Sequence, residues 1–342
     1  MLGITESINL IRYLIVVRTK HTLVTLSPHF AQELSTVWGK LVTELLPTRE
    51  AAKWRKTREL WEREYGPPSS NRQGEDFAIT NTPSSPWPIE AVLLPYTVKA
   101  CFGQDEPVVW ELKLLGNAAD HGLFLEQLLP ALELAATQPQ PGESKGFWGQ
   151  FRIETIYAAH GPRWRPFVVE GKLDLRRRRP TPTQWAEGLK LSPEEGTAFR
   201  RLTWFTPFDL GVRPTPPLRS RSQRERAIAA HDVPTFEGIL RALMARVAQI
   251  QPGKPITEEE AWALLPSEEQ AALWETLNRL RERPQHRKYE LAPPPAGAYG
   301  AWIGTEIFTA PVPGNLIPYL ELASILQIGH FTHFGCGTFG LY

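Results

Sequence analysis

Residues 325–342 read ILQIGHFTHFGCGTFGLY, a stretch in which glycine and phenylalanine recur at close intervals. Glycine adopts the positive-φ conformations that other residues resist, and it lets a backbone approach another backbone or a ligand closely. An apolar run over residues 316–328 precedes the glycines with the spacing of a helix, and residues 338–342 have the composition of a strand. The pattern predicts a helix, a tightly shaped loop and a terminal strand, in that order.

General glycine-rich motifs offer three interpretations of this turn. A dinucleotide-binding fingerprint has a strand before its glycines and a helix after them, whereas the order here is the reverse. A phosphate-binding lysine loop requires Gly-Lys-Ser or Gly-Lys-Thr, which the sequence lacks. The third interpretation is a tight turn that packs a C-terminal strand, and the residues alone favour it.

The stretch also resembles the C-terminal signature of a known family, the CRISPR repeat-processing endoribonucleases, which are the sixth Cas family of the repeat-associated RNA-binding superfamily. Four earlier segments are similar to other elements of that family and occur in the matching order. They are VWELKLLG at residues 109–116, GFWGQFRI at residues 146–153, LTWFTPFDL at residues 202–210 and AWIGTEI beginning at Ala301. The resemblance covers roughly the last two thirds of the chain.

This resemblance implies an α+β fold of two tandem ferredoxin-like (RRM-like) domains with a C-terminal glycine-rich loop. We expect an N-terminal domain over residues 1–165 and a C-terminal domain over residues 166–342, divided near Pro166. The residues agree in part, because a series of strand, helix, strand, strand, helix and strand is recoverable over residues 1–160.

Activity is likewise implied by the resemblance. The family cuts CRISPR repeat RNA to mature guide RNA without a metal or other cofactor and leaves a 2′,3′-cyclic phosphate. Some members bind RNA without cutting it, so a non-catalytic repeat-RNA-binding relative or an effector-complex subunit is the alternative. A ferredoxin-like scaffold without an RNA partner is the third possibility.

Charge is distributed unevenly along the chain, although the formal net charge is only +1. Residues 151–230 hold 16 Lys and Arg against 8 Asp and Glu, and they include the run Arg176, Arg177, Arg178 and Arg179. Such a segment on an otherwise acidic chain is typical of an RNA-binding surface, since arginine donates two parallel hydrogen bonds to a phosphate. The competing interpretation of the run is a solvated charged turn.

The two cysteines, Cys101 and Cys336, are too few for a structural zinc site and give little support for a disulfide framework. No metal is therefore expected. The sequence shows no apolar run of 18 residues and no basic-then-apolar leader. These features predict a cytoplasmic protein with no membrane partner.

Histidine is the expected proton-transfer residue, because its pKa of about 6.5 allows it to act as base or acid near neutrality. Family resemblance places a catalytic histidine in or near the first helix, which makes His29 the first candidate and His21 the second. Lys40, on the same helix, is a candidate RNA contact. The loop supplies further candidates for RNA binding, namely Gly329, His330, His333, Gly335 and Gly337. His121, His160, His231 and His286 are interpreted as surface residues.

Local patterns predict several elements in detail. A strand over residues 8–19 precedes a helix that Ser27 caps, with Pro28 in its first position and its end at Leu46. Residues 49–65 form a charged helix, and a strand over residues 167–175 opens the second half of the chain. A helix over residues 236–250 follows. Two capping boxes then start the next helices, and their residue pairs are Thr257 with Glu260 and Ser267 with Gln270.

Overall fold

The computed structural model describes residues 3–49, 51–52, 55–56, 89–96, 99–139, 146–174, 179–191, 197–211, 234–283 and 287–342. The chain divides into two compact units, Leu10–Glu187 on the one hand and Met1–Asn9 with Gly188–Tyr342 on the other. Most of the charged helix predicted over residues 49–65 and the arginines Arg176, Arg177 and Arg178 lie outside the described residues, as do His231 and His286.

The unit Leu10–Glu187 is built on an antiparallel sheet of six strands in the order β3-β5-β1-β6-β7-β8. Its strands are β1 (Leu10–Thr19), β3 (Ala91–Pro95), β5 (Pro107–Leu115), β6 (Phe151–His160), β7 (Arg163–Val169) and β8 (Lys172–Leu173), and β2 (Val24–Thr25) pairs separately with β4 (Cys101–Phe102). Alternate residues of β1 are fully buried, as expected for a central strand with one face on a core.

Helices cover one face of this sheet. The helix α1 (Phe30–Leu45) buries an apolar stripe, and a second helical stretch comprises α2 (His121–Leu123), a π-helical turn (Phe124–Leu128) and α3 (Leu129–Ala135). The π turn precedes Pro130, which has no N–H to donate to the carbonyl four residues earlier. The indole of Trp38 donates to the carbonyl of Leu128 at 3.1 Å and ties α1 to this turn.

The unit that contains residues 188–342 has an antiparallel sheet of four strands in the order β10-β11-β9-β12. Its strands are β9 (Arg201–Phe208), β10 (Arg287–Ala292), β11 (Trp302–Phe308) and β12 (Phe339–Leu341), and its helices are α4 (Phe236–Gln249), α5 (Glu258–Trp262), α6 (Ser267–Glu282) and α7 (Ile317–Leu326). The predicted helix, loop and terminal strand at the C-terminus are all present.

Both units share one connectivity. In the first unit, the four strands β1, β3, β5 and β6 follow one another along the chain. Across the sheet they lie in the order β3-β5-β1-β6, so the first strand along the chain has the third and the fourth as its neighbours. In the other, β9, β10, β11 and β12 lie in the same order, and helices connect the first strand to the second and the third to the fourth. The expectation of a mixed fold of helices and antiparallel sheets is confirmed.

The division between the units differs from the predicted boundary at residues 165 and 166. Residues 163–173 extend the first sheet, because β7 pairs with β6 and β8 pairs with β7. Glu170 and Gly171, at φ of 51° and 70°, form the two-residue turn that reverses the chain between Val169 and Lys172. The predicted continuous strand over residues 167–175 is therefore wrong.

Two predicted helix caps also differ from the structure. His29, rather than Ser27, occupies the N-cap position of α1, and the Ser27 hydroxyl instead accepts from the amide of His29 at 3.1 Å. At α6 the N-cap position is Pro266, so the predicted box of Ser267 and Gln270 does not form. The box of Thr257 and Glu260 is confirmed, as is the helix starting at Phe236.

Helix length and hydropathy bear on the prediction that the chain does not cross a membrane. Among the described residues, no helix combines the length and the apolar character that a membrane span needs.

Candidate functional site

Backbone hydrogen bonds hold the loop between α7 and β12 against the end of β9. The amide of His330 donates to the carbonyl of Asp209 at 2.7 Å, and the amide of Gly337 donates to the carbonyl of Pro207 at 2.9 Å. The amide of Ile328 closes the loop by donating to the carbonyl of Gly337 at 3.1 Å. The loop is thus a folded structure with its own internal and external bonds.

Close backbone approach explains why this loop requires glycine. Gly329, Gly335 and Gly337 all have positive φ, at 87°, 81° and 87°. A Cβ added to Gly329 would lie 2.3 Å from the carbonyl oxygen of Asp209, and one added to Gly337 would lie 2.0 Å from that of Ile328. Neither position accommodates a side chain, so the shape of the loop depends on both residues.

His330 is the half-buried histidine of the loop. Its ring lies over Gly211, where an added Cβ would approach the imidazole Nε2 to 3.2 Å. The Asp209 carboxylate accepts from the amide of Gly211 at 2.8 Å and fixes this bend at the end of β9. His330 therefore lies beside Gly211, which is followed in sequence by the arginine-rich residues 212–233.

His333 differs from His330 in being only 5% exposed. Burial, together with the cationic guanidinium of Arg246, lowers the pKa of His333 to about 3. A side chain this buried offers no surface to a phosphate. His333 supports the loop from within, which removes the basis for its predicted contact with RNA.

The buried imidazole predicts a loss of stability in acid. Because the pKa of His333 is lower in the folded chain than the usual 6.5, the unfolded chain binds more protons between about pH 3 and pH 6.5, and the free energy of unfolding falls as the pH drops through that window. From pH 7 to pH 5 the cost is about 2 kcal/mol. Urea unfolding at the two pH values measures it.

His333→Leu is the matched variant for this measurement, because leucine does not titrate. Its free energy of unfolding is expected to change about 2 kcal/mol less between pH 7 and pH 5 than that of the unaltered chain. Equal changes in both proteins would contradict the assignment.

The candidate catalytic histidines lie in the other unit. His29 is half-buried at the N-cap of α1, and His21 is exposed in the bend that follows β1. Lys40 is exposed farther along α1. The structure thus groups the three N-terminal candidates in one unit and the five loop candidates in the other.

The first turn of α1 is firmly anchored below His29. Phe30 packs edge-on against Phe147, with ring centroids 5.2 Å apart, and the indole of Trp148 donates to the carboxylate of Glu33. The amide of Glu33 in turn donates to the carbonyl of His29 at 3.0 Å. His29 therefore lies at a helix end that is held in place on two sides.

His121, which the sequence analysis treats as a surface residue, lies in an aromatic cluster. Its Nδ1 is 2.9 Å from the hydroxyl of Tyr13, and its ring stacks parallel to Phe124 and edge-on to Phe167. Burial and the charge of Arg179 lower the pKa of His121, although Asp120 acts in the opposite direction. The imidazole is therefore neutral near pH 7 and able to accept a proton.

No sequence pattern distinguishes His121 from the other isolated histidines. The informative partner, Tyr13, is separated from it by more than a hundred residues and lies on the core-facing side of β1. The two residues come together because β5, which precedes the helix of His121, pairs with β1. The side chain of Arg179, the described member of the arginine run, is exposed near this histidine.

Other arginines of this unit have partners that reduce their availability to RNA. Arg12 forms an ion pair with the fully buried Glu111 at 2.5 Å, and its guanidinium lies over the ring of Trp164. Ion pairing with Arg12 holds the pKa of Glu111 at about 2 in spite of its burial. Arg163 and Arg165 on β7 remain exposed.

The described part of the chain has no group of three or more histidine, cysteine or acidic side chains placed to hold a metal ion.

Fold and site together define an α+β protein whose two larger antiparallel sheets share one order of four strands and whose C-terminal loop is shaped by glycine. No protein-family model and no curated protein matches the chain. Some of the solved structures to which it is similar are Cas6 structures. They include a Cas6 product complex at 14% identity and a TM-score of 0.44, and Thermus thermophilus Cas6 at 14% identity and 0.41.

In both of these cases the similarity covers 98% of this chain and 99% of the other. A partial Cas6-RT-Cas1–Cas2 complex is similar at 10% identity and a TM-score of 0.43, over 98% of this chain and 46% of that one.

Proposed function

We propose that the chain is a metal-independent endoribonuclease of the CRISPR repeat-processing family, which binds repeat RNA and cleaves it to mature guide RNA. The observation that carries the proposal is the C-terminal loop. The segment that resembles the family signature is a compact loop on β9 whose glycines leave no room for side chains.

The fold supports the proposal in a second way. Each unit contains strand, helix, strand, strand, helix and strand in one spatial order, which is the arrangement of a ferredoxin-like domain. We infer two such domains in tandem, divided near residue 187, with the glycine-rich loop at the end of the second.

Cleavage of this kind proceeds by attack of the 2′-hydroxyl on the adjacent phosphate, which leaves a 2′,3′-cyclic phosphate and a 5′-hydroxyl. In this proposal His29 takes the proton of the 2′-hydroxyl, and His21 is the second candidate for that role. Lys40, the arginine run, His330 and the backbone around Gly329, Gly335 and Gly337 bind the RNA. Cationic groups near the scissile phosphate offset the charge that develops on it.

A non-catalytic repeat-RNA-binding relative, or a subunit of an effector complex, is the alternative. Incubation with the cognate repeat RNA in EDTA separates the two. An endoribonuclease gives a discrete product with a cyclic phosphate, whereas a binding protein gives only a mobility shift. Absence of both product and shift would contradict RNA processing altogether.

Arg176, Arg177, Arg178 and Arg179 are expected to supply sequence-independent affinity. Their replacement by glutamine should weaken binding to unrelated RNA as well as to the repeat, because arginine–phosphate contacts do not read bases. Each lost contact should reduce the slope of log affinity against log salt by about 0.7 to 0.9. Filter binding over a salt series measures both quantities.

Arg279→Gln is a suitable control, because Arg279 already pairs with Glu275 at 2.7 Å on an acidic helix. It removes one exposed arginine without removing a proposed phosphate contact. Unchanged affinity and slope in the variant of the run would identify the run as a solvated turn.

A further inference from the structure

The four-stranded sheet has an outward face that the proposed catalytic residues and glycine loop do not use. Along β9, Leu202, Trp204 and Phe208 are buried, whereas Arg201 and Phe205 point away from the core and are exposed. On the adjoining strand the same alternation buries Phe339 and Leu341. It leaves Gly340 and Tyr342 on the outward side.

Two aromatic rings lie on this face and remain open to solvent. Phe205 is 52% exposed and Tyr342 is 50% exposed. Their ring centroids are 6.2 Å apart and their planes are nearly perpendicular, at 86°. Large aromatic side chains bury 150–250 Å² when covered, so leaving two of them together in water is costly unless a ligand covers them.

Gly340 is the reason that both rings can lie across the strand. A Cβ at this position would approach Cζ of Phe205 to 2.7 Å and Cε2 of Tyr342 to 3.3 Å. The φ of Gly340 is not positive, so the backbone itself does not require glycine. Glycine is required at this position because the two rings occupy the space that a Cβ would need.

The charge beside the rings is positive. The guanidinium of Arg201 lies 4.8 Å from the centroid of the Tyr342 ring, and Arg200 is exposed next to it. Within the part of the chain that the structure describes, neither arginine forms an ion pair with a carboxylate, although the Arg200 guanidinium donates to the carbonyl of Thr309 at 2.7 Å. Glu290 on β10, in the cross-strand row of Thr305 and Thr203, is paired with Lys288 at 2.7 Å.

We propose that this face binds single-stranded RNA by stacking unpaired bases on Phe205 and Tyr342 while Arg200 and Arg201 contact the phosphates between them. Every base has a π-face, so aromatic platforms beside cations suit single strands of varied sequence. Successive bases of one strand in a duplex are about 3.4 Å apart, which is much less than the 6.2 Å between the ring centroids of Phe205 and Tyr342. Perpendicular rings suit bases that are splayed apart.

The occupant is a single-stranded flank of the repeat RNA, and in that respect the inference rests on the proposed function. An apolar protein partner would also cover exposed rings. An apolar partner would, however, cover two arginines that have no acidic partner, and it would not require aromatic rather than aliphatic side chains. The experiment distinguishes the two occupants.

Affinity is measured for an unstructured oligoadenylate, for the repeat RNA with its single-stranded flanks, and for the repeat stem alone. Phe205→Leu and Tyr342→Leu keep apolar surface but remove the π-face. Each is expected to weaken binding of the oligoadenylate by about 5- to 150-fold, which corresponds to one stacked base. The flanked repeat should lose affinity, and the stem alone should not.

Three further variants make the result specific. Phe205→Trp retains a ring and should retain binding, and Gly340→Ala should lower it by displacing both rings. Leu264→Ala removes an exposed apolar side chain elsewhere in the same unit and should have no effect. Arg201→Gln should reduce the salt slope by about 0.7, whereas Phe205→Leu should leave it unchanged.

If Phe205→Leu and the unaltered chain bound the oligoadenylate with equal affinity, this inference would be overturned. Cleavage of the repeat would continue in that case, so the proposed function would stand. An equal loss on the stem alone would also overturn this inference. If the unaltered chain bound neither the repeat nor the oligoadenylate, the proposed function itself would be contradicted. The experiment therefore distinguishes failure of this inference from failure of the proposed function.

Discussion

Replacement of His29 by alanine is expected to slow cleavage of the repeat RNA by about 10²- to 10⁴-fold, the usual contribution of a positioned general base. His29 is half-buried at the N-cap of α1, where the first free N–H groups of the helix also favour a bound phosphate. Affinity for uncleaved RNA should change little, because the imidazole acts on the 2′-hydroxyl. Single-turnover kinetics with a non-cleavable 2′-deoxy substrate as the binding control measure the two effects separately.

His21→Ala and His121→Ala are the companion variants. His21 lies in the bend after β1, and His121 is the neutral imidazole beside Tyr13. Full activity of His29→Ala with loss in His21→Ala moves the catalytic role to the bend. Loss in His121→Ala alone moves the role to the aromatic cluster, and full activity in all three variants contradicts a histidine base.

Folding of His29→Ala is not in question, because the helix does not depend on this side chain. The N-cap residue makes no side-chain hydrogen bond to the helix, and the first turn is anchored instead through Phe30 and Glu33. A change in cleavage is therefore attributable to the imidazole. Circular dichroism of the variant checks the point.

Patterns of short range predicted the fold well. The strand β1, the helix α4 and the capping box at Thr257 all depend on residues within one element, and all are observed. Glycine and phenylalanine in the last residues likewise identified the loop. These features are encoded by periodicity and backbone preference, which a sequence displays directly.

The sequence was less informative wherever the outcome depended on a neighbour distant in the chain. The sequence predicts residues 167–175 as a strand of the second half, whereas β7 belongs to the first sheet, because the turn at Gly161 and Pro162 pairs it with β6. His333 and His330 look alike in sequence, yet only the former is enclosed by the folded loop. Burial of this kind is a property of the packed structure and has no local pattern.

The same reasoning applies to the two helix caps that were misplaced. Ser27 has the right chemistry for an N-cap, but it lies two residues before the N-cap His29, and its hydroxyl accepts a hydrogen bond from the His29 amide. The side chains of serine and threonine can hydrogen-bond to nearby backbone either in a turn of this kind or as a helix N-cap. As a result, His29 occupies the N-cap position and not the first turn, where a cap at Ser27 would have placed it.

Gly337→Ala is expected to lower the free energy of unfolding of the C-terminal unit by about 2 to 4 kcal/mol. A Cβ at this position would lie 2.0 Å from the carbonyl oxygen of Ile328, and the φ of 87° is unfavourable for alanine. The backbone at Gly337 cannot move away to make room for a Cβ without breaking hydrogen bonds, because its amide donates to the carbonyl of Pro207 and its carbonyl accepts from the amide of Ile328. Urea unfolding measures the loss.

Gly314→Ala is the matched control in the same unit. A Cβ there meets nothing within 4 Å, and its φ is not positive, so the free energy of unfolding should stay the same or rise by up to about 1 kcal/mol. Hydrogen exchange should show faster opening of β12 and of the end of β9 in Gly337→Ala alone, because the loop fastens these strands. If Gly337→Ala matched Gly314→Ala in both measurements, the loop would not depend on glycine at this position, and its likeness to the family signature would have no structural basis there.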